Sequence, residues 1–516
     1  MNTNLQTVFH YHETTKHSQY RYAKSLGYMD WATQPNPFRE YKGTKKIQLP
    51  LAFEYATPPY HLLDTNLPPA PLVRESLSQL MQFSMGIAAY KEANGNRWAV
   101  RCNASSGNLH PTESYLILPP LFSEQNNSSS VFHYAPKDHS LELLAEFQTQ
   151  FWDTLPKDSF LLGISSISWR EAWKYGERAF RYTQLDAGHA WQSIVVSAKM
   201  LGWSVNKLDT ISTKEMSKLL GLNQEERFFE DEIPDMILVV SPLHVKNTLD
   251  VEELLVSLPK LFEGVANRLS PSMHHWDIIE RIQKASATQQ IPQKQFPPIP
   301  VQREATYNAK DVILKRRSVH VMDKKHSHIT KEQFYVLLQS VASSLDMLQS
   351  SINLILSVHR VEQYEQGLYI LLRDLDAKEA LQQEMSKHFL WETTEFENLY
   401  ILEQNNMQTS SKAICCSQDI ASDGSFSLGM LAPFAGELQR YGAHRYKELH
   451  WECGAIGQQL YLEATSLGLS GTGIGCFLDD AMHSLIGLSN NNYQILYHFT
   501  IGRGYVDSRI QTKPPY

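Results

Sequence analysis

The stretch Asp186-Ala187-Gly188-His189-Ala190-Trp191-Gln192 decides the fold, because a related stretch recurs further along the chain. The second stretch reads Glu452-Cys453-Gly454-Ala455-Ile456-Gly457-Gln458 and lies 266 residues beyond the first (186 to 452). A carboxylate, a glycine and a glutamine keep the same spacing in both. Such a match is the sign of an internal repeat, which has to be tested before any fold is proposed.

The same offset continues on both sides without a gap. The further pairs are Lys174-Tyr175-Gly176 with Arg440-Tyr441-Gly442, Leu201-Gly202-Trp203-Ser204 with Leu467-Gly468-Leu469-Ser470, and Leu219-Leu220-Gly221-Leu222 with Leu485-Ile486-Gly487-Leu488. A chance match would lose its register over this length, so we interpret the chain as a tandem duplication. Each copy has a helical run, at 190–201 and 456–467, that ends at a Leu-Gly turn typical of helix ends. Two fused copies can form an intrachain pseudo-dimer with sites at their interface.

A segment rich in Gln and Pro, residues 283–310, separates the copies. Because proline lacks a backbone donor and disfavours helix before it, this segment predicts an extended linker between domain 1 (1–282) and domain 2 (311–516). The predicted strands are 114–118, 236–240, 352–358, 368–372 and 494–501, and the predicted further helices are 213–220, 331–340 and 480–486. Both halves therefore indicate an α+β fold, with helices packed on a mainly antiparallel sheet.

The composition argues against several classes of function. The chain has 516 residues, of which 42% are hydrophobic and 20% charged, and its formal net charge is −8. It lacks a basic tail, so nucleic-acid and anionic-membrane binding have no electrostatic basis. Five cysteines, including the adjacent pair Cys415-Cys416, show no zinc-ligand spacing and predict neither a disulfide framework nor a metal site. No signal sequence or membrane span is recognisable, so we expect a soluble cytoplasmic protein.

Four segments carry residues suited to chemistry, and the first runs from 101 to 113. Its candidate members are Arg101, Ser105, Ser106, Gly107, Asn108 and His110. Small hydroxyl and amide side chains beside a glycine can approach a flat polar ligand and hydrogen-bond its edge. The alternative is a capped loop, because turns and helix starts also require serine and asparagine, and composition alone favours that interpretation.

The second segment is Lys315-Arg316-Arg317-Ser318-Val319-His320. Two adjacent arginines and a serine offer charge-assisted donors suited to a phosphate, although an exposed basic patch is the commoner explanation. Near the C-terminus, Gly502-Arg503-Gly504 either adds a phosphate partner or forms a surface turn.

The third segment, Ser470-Gly471-Thr472-Gly473-Ile474-Gly475-Cys476-Phe477, has the spacing of a dinucleotide-binding turn except that Cys476 takes the place of the last glycine. It also follows a helix rather than a strand, so it fails the structural context of that motif. A loop whose backbone amides pass close to a planar ring remains open.

The fourth segment is the pair Lys174-Tyr175. A lysine beside a tyrosine can lower the pKa of the phenol and make it a proton-transfer group. The commoner explanation is a lysine whose stem packs on a half-buried tyrosine while its charge stays in solvent.

Together these segments resemble the nitroreductase-like flavoprotein family, and specifically its SagB or thiazole-oxazole (azoline) dehydrogenase branch. The resemblance rests on residues 105–111, on Arg316-Arg317-Ser318, on the Gly-x-x-x-Gln helix with its Leu-Gly turn, and on the N-terminal residues 11–18 and 26–35. It implies an α+β fold with FMN at a subunit interface. One subunit would supply the Arg-Arg-Ser phosphate site, Gly473-Ile474-Gly475 and Arg503, and the other would supply the serine-rich loop.

In this chain those two sets fall in different halves, and the reciprocal sets look eroded. The second half offers only Gln349-Ser350-Ser351 for a serine-rich loop, and the first has Ser241-Pro242-Leu243-His244 where Gly-Arg is expected. We therefore expect one intact FMN site per chain and one degenerate site. Two departures from the family pattern are His320, where many relatives have Arg or Lys, and Gly475-Cys476, where several have Glu-Gly.

The resemblance implies an FMN-dependent oxidoreductase that transfers hydride at the flavin N5, with Lys174 and Tyr175 handling the proton as they do in azoline oxidases. The substrate would be an azoline in a modified peptide, a quinone or a nitroaromatic, and NAD(P)H is a possible electron donor. The alternative is a non-catalytic flavin- or ligand-binding protein on a duplicated scaffold.

Overall fold

The computed structural model describes residues 3–122, 127–245, 249–289, 303, 307–342, 345 and 350–516. Most of the predicted linker, and Gln349 of the second serine segment, lie outside the described residues. The domain boundary between 282 and 311 therefore stays a prediction.

The first half of the chain builds a seven-stranded antiparallel sheet. The strands of this half are β1 (Tyr41–Lys42), β2 (Lys46–Gln48), β3 (Ile87–Ala93), β4 (Asn96–Arg101), β5 (Thr112–Leu118), β6 (Ser129–Ala135), β7 (Ser140–Phe147), β8 (Phe160–Ser166), β9 (Ser204–Lys207), β10 (Ile233–Ser241) and β11 (Val265–Ala266), of which β2 and β5 to β10 form the sheet. The order across the sheet is β2-β7-β6-β5-β8-β10-β9, while β1 pairs with β11.

The second half repeats this sheet. Its strands are β12 (Asn353–Val358), β13 (Gly367–Leu371), β14 (Glu392–Thr393), β15 (Leu399–Gln404), β16 (Phe426–Pro433), β17 (Ser470–Ile474), β18 (Tyr493–Gly502) and β19 (Gln511–Lys513). The order is β14-β15-β13-β12-β16-β18-β17, and its six strands from β15 to β17 match those from β7 to β9 of the first sheet. The edge strands differ, because β2 precedes the other strands of its sheet in the chain whereas β14 lies between β13 and β15. At the last pair, Ser204 lies opposite Ser241 and Ser470 lies opposite Gly502, so the 266-residue offset holds for β9 and β17, whereas β10 and β18 are offset by 261 residues (241 to 502).

The helices pack against both sheets. They are α1 (Thr3–Thr14), α2 (Arg74–Ser84), α3 (Ser168–Tyr175), α4 (Ala179–Lys199), α5 (Thr213–Leu219), α6 (Glu252–Ser257), α7 (Asp277–Ala285), α8 (Ala309–Lys315), α9 (Lys331–Ala342), α10 (Lys378–Glu384), α11 (Gln408–Ile414), α12 (Ile420–Asp423), α13 (Phe434–Tyr441), α14 (Arg445–Ser466) and α15 (Asp479–Ile486). Within the part of the chain that the structure describes, none is both long and apolar enough to cross a membrane.

The repeated helices α4 and α14 form the centre of the molecule and cross at their repeated glycines. A Cβ on Gly188 would lie 2.2 Å from the carbonyl oxygen of Trp451, and one on Gly454 would lie 2.1 Å from that of Leu185. Only glycine permits this approach of two backbones, so the repeated Gly188 and Gly454 set the contact between the halves. Both helices are buried along almost their whole length, because each packs against the other helix as well as the sheets.

Each end of the chain packs against the opposite half of the molecule. His12 in α1 hydrogen-bonds Gln494 of β18 (Nε2 to Oε1, 2.9 Å), and β19 pairs with β3 to extend a three-stranded sheet, β19-β3-β4, in the first half. The carboxylate of Asp479 at the start of α15 accepts buried hydrogen bonds from Arg178 and Arg181 of the first half, at 2.9 and 2.8 Å. The two halves therefore form one interlocked pseudo-dimer.

The predicted α+β class and all five predicted strands are confirmed, with ends within four residues. The prediction of a loop at Ser470 to Phe477 is wrong for its first five residues, because Ser470–Ile474 is the edge strand β17. Its glycines reflect close packing by aromatic rings: a Cβ on Gly471 would lie 2.7 Å from Phe499, and one on Gly473 would lie 1.8 Å from the hydroxyl of Tyr497. Glycine weakens the strand signal in a sequence, which explains the error.

Candidate functional site

Arg316 joins the end of α8 to the serine-rich segment of the other half. Its side chain is buried, and its Nε and Nη2 donate to the backbone carbonyls of Cys102 (3.1 Å) and Arg101 (2.9 Å). Its guanidinium also lies 5.2 Å from the ring centre of Tyr461 in α14. The two predicted segments therefore meet at the interface between the halves.

Arg317 is the cation at this junction that has no acidic partner among the described residues. Its Nη1 donates to the carbonyl of Arg316 (2.5 Å), and its buried Nε has no hydrogen-bond partner there. Burial, and then the charge of Arg316, lower the pKa of Arg317 to about 10. Burial and the charge of Arg317 likewise lower the pKa of Lys91 in β3. Arg316 and Lys91 thus each lie close enough to Arg317 for their charges to interact with it, and such a concentration of positive charge suits an anion.

Ser318 continues this junction onto strand β17. It is exposed, its hydroxyl lies 2.7 Å from that of Tyr461, and it forms a parallel bridge with Gly471. The Tyr461 hydroxyl in turn accepts a hydrogen bond from the backbone of Gly473 (2.9 Å). The Arg-Arg-Ser segment and the glycine-rich strand are therefore fixed to each other.

The remaining members of the phosphate-site prediction lie close by but differ in role. Gly504 approaches this segment, since a Cβ on it would lie 2.5 Å from the side chain of Val319. The side chains of Arg503 and His320 are exposed. Ile474, in contrast, has its side chain buried in a small apolar cluster, so that side chain is not available to a ligand.

The serine-rich loop is a short 3-10 turn, Ser106–Asn108, that is bound to α4 by Asp186. The backbone N–H of Ser106 donates to both carboxylate oxygens of Asp186 (3.0 and 3.1 Å), and the Ser106 hydroxyl donates to one of them (2.9 Å). Burial raises the pKa of Asp186 to about 7. The Ser105 hydroxyl accepts from the backbone of His110 (2.8 Å).

The other polar side chains of this loop mainly stabilise its shape, as the capped-loop alternative expects. Asn108 donates to the carbonyl of Ala99 (2.9 Å) and its Oδ1 lies 3.0 Å from Nε2 of His110, while burial lowers the pKa of that histidine. The guanidinium of Arg101 turns away, towards the carbonyls of Pro37 and Thr112. Gly107 is the exposed member of the loop.

The pair Lys174-Tyr175 lies directly against Gly107. A Cβ on Gly107 would lie 2.7 Å from the Tyr175 hydroxyl and 3.3 Å from the Lys174 Nζ. Burial raises the pKa of Tyr175 well above its usual value, with further contributions from Glu171 and other neighbours. The expectation that Lys174 lowers the pKa of this phenol is therefore wrong, because burial outweighs the lysine charge. Tyr175 stays protonated at neutral pH.

Tyr182 links this pair to the second half. Its ring centre lies 4.6 Å from that of Tyr175, and its hydroxyl donates to the carbonyl of Gly475 (3.0 Å). A Cβ on Gly475 would lie 2.4 Å from the Tyr182 ring. Tyr182 therefore connects Gly107, Lys174 and Tyr175 of the first half to Gly475 of the second.

The pseudo-equivalent region of the molecule contains charged side chains instead. At the offset of 266, Lys207 corresponds to Gly473, Asp209 to Gly475 and Glu448 to Tyr182. Lys207 pairs with Asp209 and with Glu448 (3.4 Å to the latter), and all three side chains are largely buried. Arg445 adds a further ion pair to Glu448 (3.2 Å).

The loop anchor is nevertheless retained in this second region. Glu452, the counterpart of Asp186, accepts from the backbone of Ser351 (3.1 and 3.2 Å), just as Asp186 accepts from that of Ser106. Here Arg373 also binds the carboxylate (2.5 Å), and Arg445 donates to the Ser351 hydroxyl (2.8 Å). In this second region, arginine side chains therefore bind both the anchoring carboxylate, Glu452, and the hydroxyl of the loop serine, Ser351.

The nitroreductase family model matches residues 67–229 and 313–503, which together make up more than half of the chain. The chain belongs to the nitroreductase family. The first matched segment contains five of the seven strands of the first sheet, with β2 and β10 outside it, and the second contains the whole second sheet. This protein therefore carries two nitroreductase domains in tandem. Members of the family include flavin-dependent oxidoreductases, such as an NADPH:FMN oxidoreductase.

One solved structure agrees with this fold over almost the whole chain. The crystal structure of a nitroreductase-type protein from Anabaena variabilis aligns with 97% of this chain and 99% of its own, at 21% identity and a TM-score of 0.70. The microcin synthetase McbBCD complex of E. coli covers 47% of this chain and 94% of its own (16% identity, TM-score 0.29). The NADPH:FMN oxidoreductase of Vibrio harveyi covers 38% and 68% (17% identity, TM-score 0.23). A comparison with curated proteins finds no match.

The residues of this nitroreductase-family protein fit an FMN. The unpartnered Nε of Arg317, beside Arg316 and Lys91, suits the phosphate, since a phosphate offers the acceptors and the charge that these donors lack. The buried Oδ1 of Asn103 also has no partner among the described residues, and an amide oxygen suits a donor on the edge of a flat ring.

Several residues of the site were missed in the sequence. Asp186 had a usable signal, since an acidic residue recurs at 452, whereas Asn103, Tyr182 and Tyr461 had none. The structure also brings together His17, Cys416 and Cys476, whose ligand atoms all lie within 4.8 Å of one another. No sequence spacing predicts this cluster, because its members come from three distant segments.

Proposed function

We propose that this protein is an FMN-dependent oxidoreductase with one FMN site per chain, formed by both halves. The observation that carries the proposal is Arg317, a partly buried cation whose buried Nε has no hydrogen-bond partner and which has no acidic partner among the described residues, next to Arg316 and Lys91. A buried charge without a partner is costly, so its retention calls for an anionic ligand. Arg316, Arg317, Ser318 and Lys91 would bind the phosphate.

The ring would lie between the edge strand of one half and the loop of the other. Gly473 and Gly475 present backbone here without side chains, and Gly107, with Lys174 and Tyr175 behind it, lies on the side of the serine-rich loop. When bound, FMN supplies a two-electron carrier that exchanges hydride at its N5. The task left to the protein is to bind a flat substrate and to supply or remove a proton.

Tyr175 is the candidate for that proton. A tyrosine phenol is protonated at neutral pH, and burial raises the pKa of Tyr175 further, so Tyr175 has a proton to give to a substrate that is being reduced. Azoline oxidation requires the reverse, namely removal of a proton from the substrate. Within the family we therefore favour reduction of a quinone or a nitroaromatic, and we keep azoline dehydrogenation, the chemistry of the SagB branch, as the second candidate.

The proposal of a single site rests on the charged side chains of the pseudo-equivalent region. Lys207 and Asp209 stand where the intact region has Gly473 and Gly475, and they pair with each other and with Glu448. Opening this region for a ring would break buried ion pairs, at a cost of about 3–5 kcal/mol for each separated pair.

The test is the absorbance spectrum and flavin content of the purified chain. We expect a yellow protein, or one that takes up added FMN, with one FMN per chain, and we expect NAD(P)H or dithionite to bleach it. Reoxidation of the reduced protein is then followed with quinones, nitroarenes and azolines. A chain that takes up no FMN contradicts the proposal, and two FMN per chain contradict the single site. Bound FMN that no electron donor or acceptor turns over would favour the non-catalytic alternative.

A further inference from the structure

Two of the five cysteines face each other at the surface between segments 60 residues apart. The Sγ atoms of Cys416 and Cys476 lie 3.0 Å apart, and both residues are partly exposed. Cys102, Cys415 and Cys453 are buried. The chain therefore has one pair of accessible, adjacent thiols and three inaccessible ones.

The backbone around Cys416 directs it towards this partner. Helix α11 ends before Cys415, and both Cys416 and Ser417 have left-handed backbone angles (φ of 55° and 61°). Such angles are unfavourable for residues with a Cβ and tend to mark functional positions. They place Cys415 in the apolar core and Cys416 on the outside. Gln418 donates to the carbonyls of both Cys415 (2.8 Å) and Cys476 (3.2 Å), which fixes the two segments to each other.

A histidine from the N-terminal segment completes the cluster. The Nδ1 of His17 lies 3.8 Å from the Sγ of Cys476, and the backbone N–H of His17 donates to Asp479 (2.9 Å). The hydrogen bonds from Cys476, from His17 and from Tyr22 lower the pKa of Cys416 to about 5. Cys476 has its pKa raised, chiefly by the hydrogen bond it shares with Cys416. One sulfur is thus suited to be a thiolate and the other a thiol, which is the asymmetry that thiol–disulfide exchange uses.

We propose that Cys416 and Cys476 form a redox-active dithiol whose reaction partner is a low-molecular-weight disulfide. The Cys416 thiolate attacks one sulfur of the small disulfide, a mixed disulfide forms on Cys416, and the first small thiol leaves. Cys476 then loses its proton, for which His17 is the nearest base, and attacks the Cys416 sulfur. This step forms the Cys416–Cys476 disulfide and releases the second small thiol. The net reaction reduces one disulfide to two thiols and oxidises two cysteines to one cystine.

Disulfide chemistry fits the geometry better than metal binding does. A tetrahedral zinc ion binds sulfur at about 2.3 Å, which separates two sulfur ligands by roughly 3.8 Å, and it takes four ligands in structural sites. The two sulfurs here are closer than that, and the cluster offers three His or Cys ligand atoms among the described residues. The inference is also separate from the flavin proposal, since no step in it needs a flavin.

The experiment oxidises the intact chain with excess oxidised glutathione and measures its mass and its reactive thiols. We expect two thiols to react rapidly with a chromogenic disulfide before oxidation and none afterwards. We also expect a mass loss of about 2 Da and a cross-linked peptide that contains Cys416 and Cys476. In Cys476→Ser the reaction should stop at a glutathione adduct on Cys416. In Cys416→Ser adduct formation should be at least about tenfold slower, because the thiolate is gone.

Cys415→Ala is the matched control, since Cys415 adjoins Cys416 but is buried, and this variant should behave as the wild type does. Stable glutathione adducts on the wild type, or two thiols that remain free after oxidation, would overturn the proposal. So would stoichiometric bound zinc that protects both thiols. The wild-type mass measurement decides the matter even if a variant fails to fold. FMN content is measured in the same samples, so a failure of the flavin proposal is seen separately.

Discussion

Replacing Arg317 with methionine should raise the stability of the flavin-free chain while it weakens FMN binding. Burial and Arg316 lower the pKa of Arg317 to about 10. A fall of about 2.5 pH units from the ordinary arginine value of 12.5, at ~1.4 kcal/mol per unit, costs the folded state roughly 3.5 kcal/mol at most. Methionine fills a similar space without a charge, so we expect a gain of about 1–3 kcal/mol and a thermal midpoint a few degrees higher.

FMN should stabilise the wild type more than it stabilises the variant. Each charge-assisted hydrogen bond to a shielded phosphate contributes about 1.5–3 kcal/mol, so the variant should bind FMN roughly 10- to 150-fold more weakly. In a thermal unfolding assay, FMN at about 100 times its Kd stabilises the wild type by ~2.7 kcal/mol, and the same FMN should stabilise the variant by only about 0.3–1.4 kcal/mol. Arg509→Met is the control, because Arg509 is exposed and is already paired with Asp507. A variant that is less stable without FMN and binds it unchanged would refute the reasoning.

Three further changes test other parts of the structure. Gly188→Ala should cost about 1–3 kcal/mol in thermal or urea unfolding, because the new methyl meets a carbonyl of α14, whereas Gly436→Ala, in open space, should not destabilise the chain. Asp186 has a raised pKa of about 7, so the folded state binds its proton more tightly than the unfolded chain does, and the free energy of unfolding should fall from pH 4 to 7. Asp186→Asn should weaken that fall, and a variant with the same pH profile as the wild type would contradict this assignment. Tyr175→Phe should keep its FMN but reduce quinone or nitroarene turnover roughly 100-fold; full turnover would exclude Tyr175 as the proton donor.

Local sequence patterns sufficed for the fold because its determinants recur. Gly188 and Gly454 mark the helix crossing, and the strand at 494–501 shows its apolar run directly. The edge strand at Ser470–Ile474 was the exception. Gly471 and Gly473 are required there because Phe499 and Tyr497 of the neighbouring strand pack against them. Contacts with another strand leave no strand pattern in the local sequence.

The site was less predictable from the sequence, because the type of a residue does not show which atoms its side chain contacts in the folded chain. Arg316, Arg317 and Ser318 lie where the pattern put them, next to the serine-rich segment. Arg101 looked equally suited to a ligand, yet its guanidinium satisfies the carbonyls of Pro37 and Thr112. For Tyr175 the neighbouring lysine was visible in the sequence but the burial that outweighs it was not.

The asymmetry between the two copies has a simple physical origin. Both retain the carboxylate that binds the serine loop, so the backbone that would frame a site persists in each. The difference lies at one position on the edge strand and one just after it, where Gly473 and Gly475 of one copy correspond to Lys207 and Asp209 of the other. Once one copy acquired charges that pair with Glu448, removing any one of them would leave a buried charge unpaired. The closed region is therefore stabilised against reopening by single substitutions, which explains how a duplicated pair could keep one site and lose the other without losing the fold.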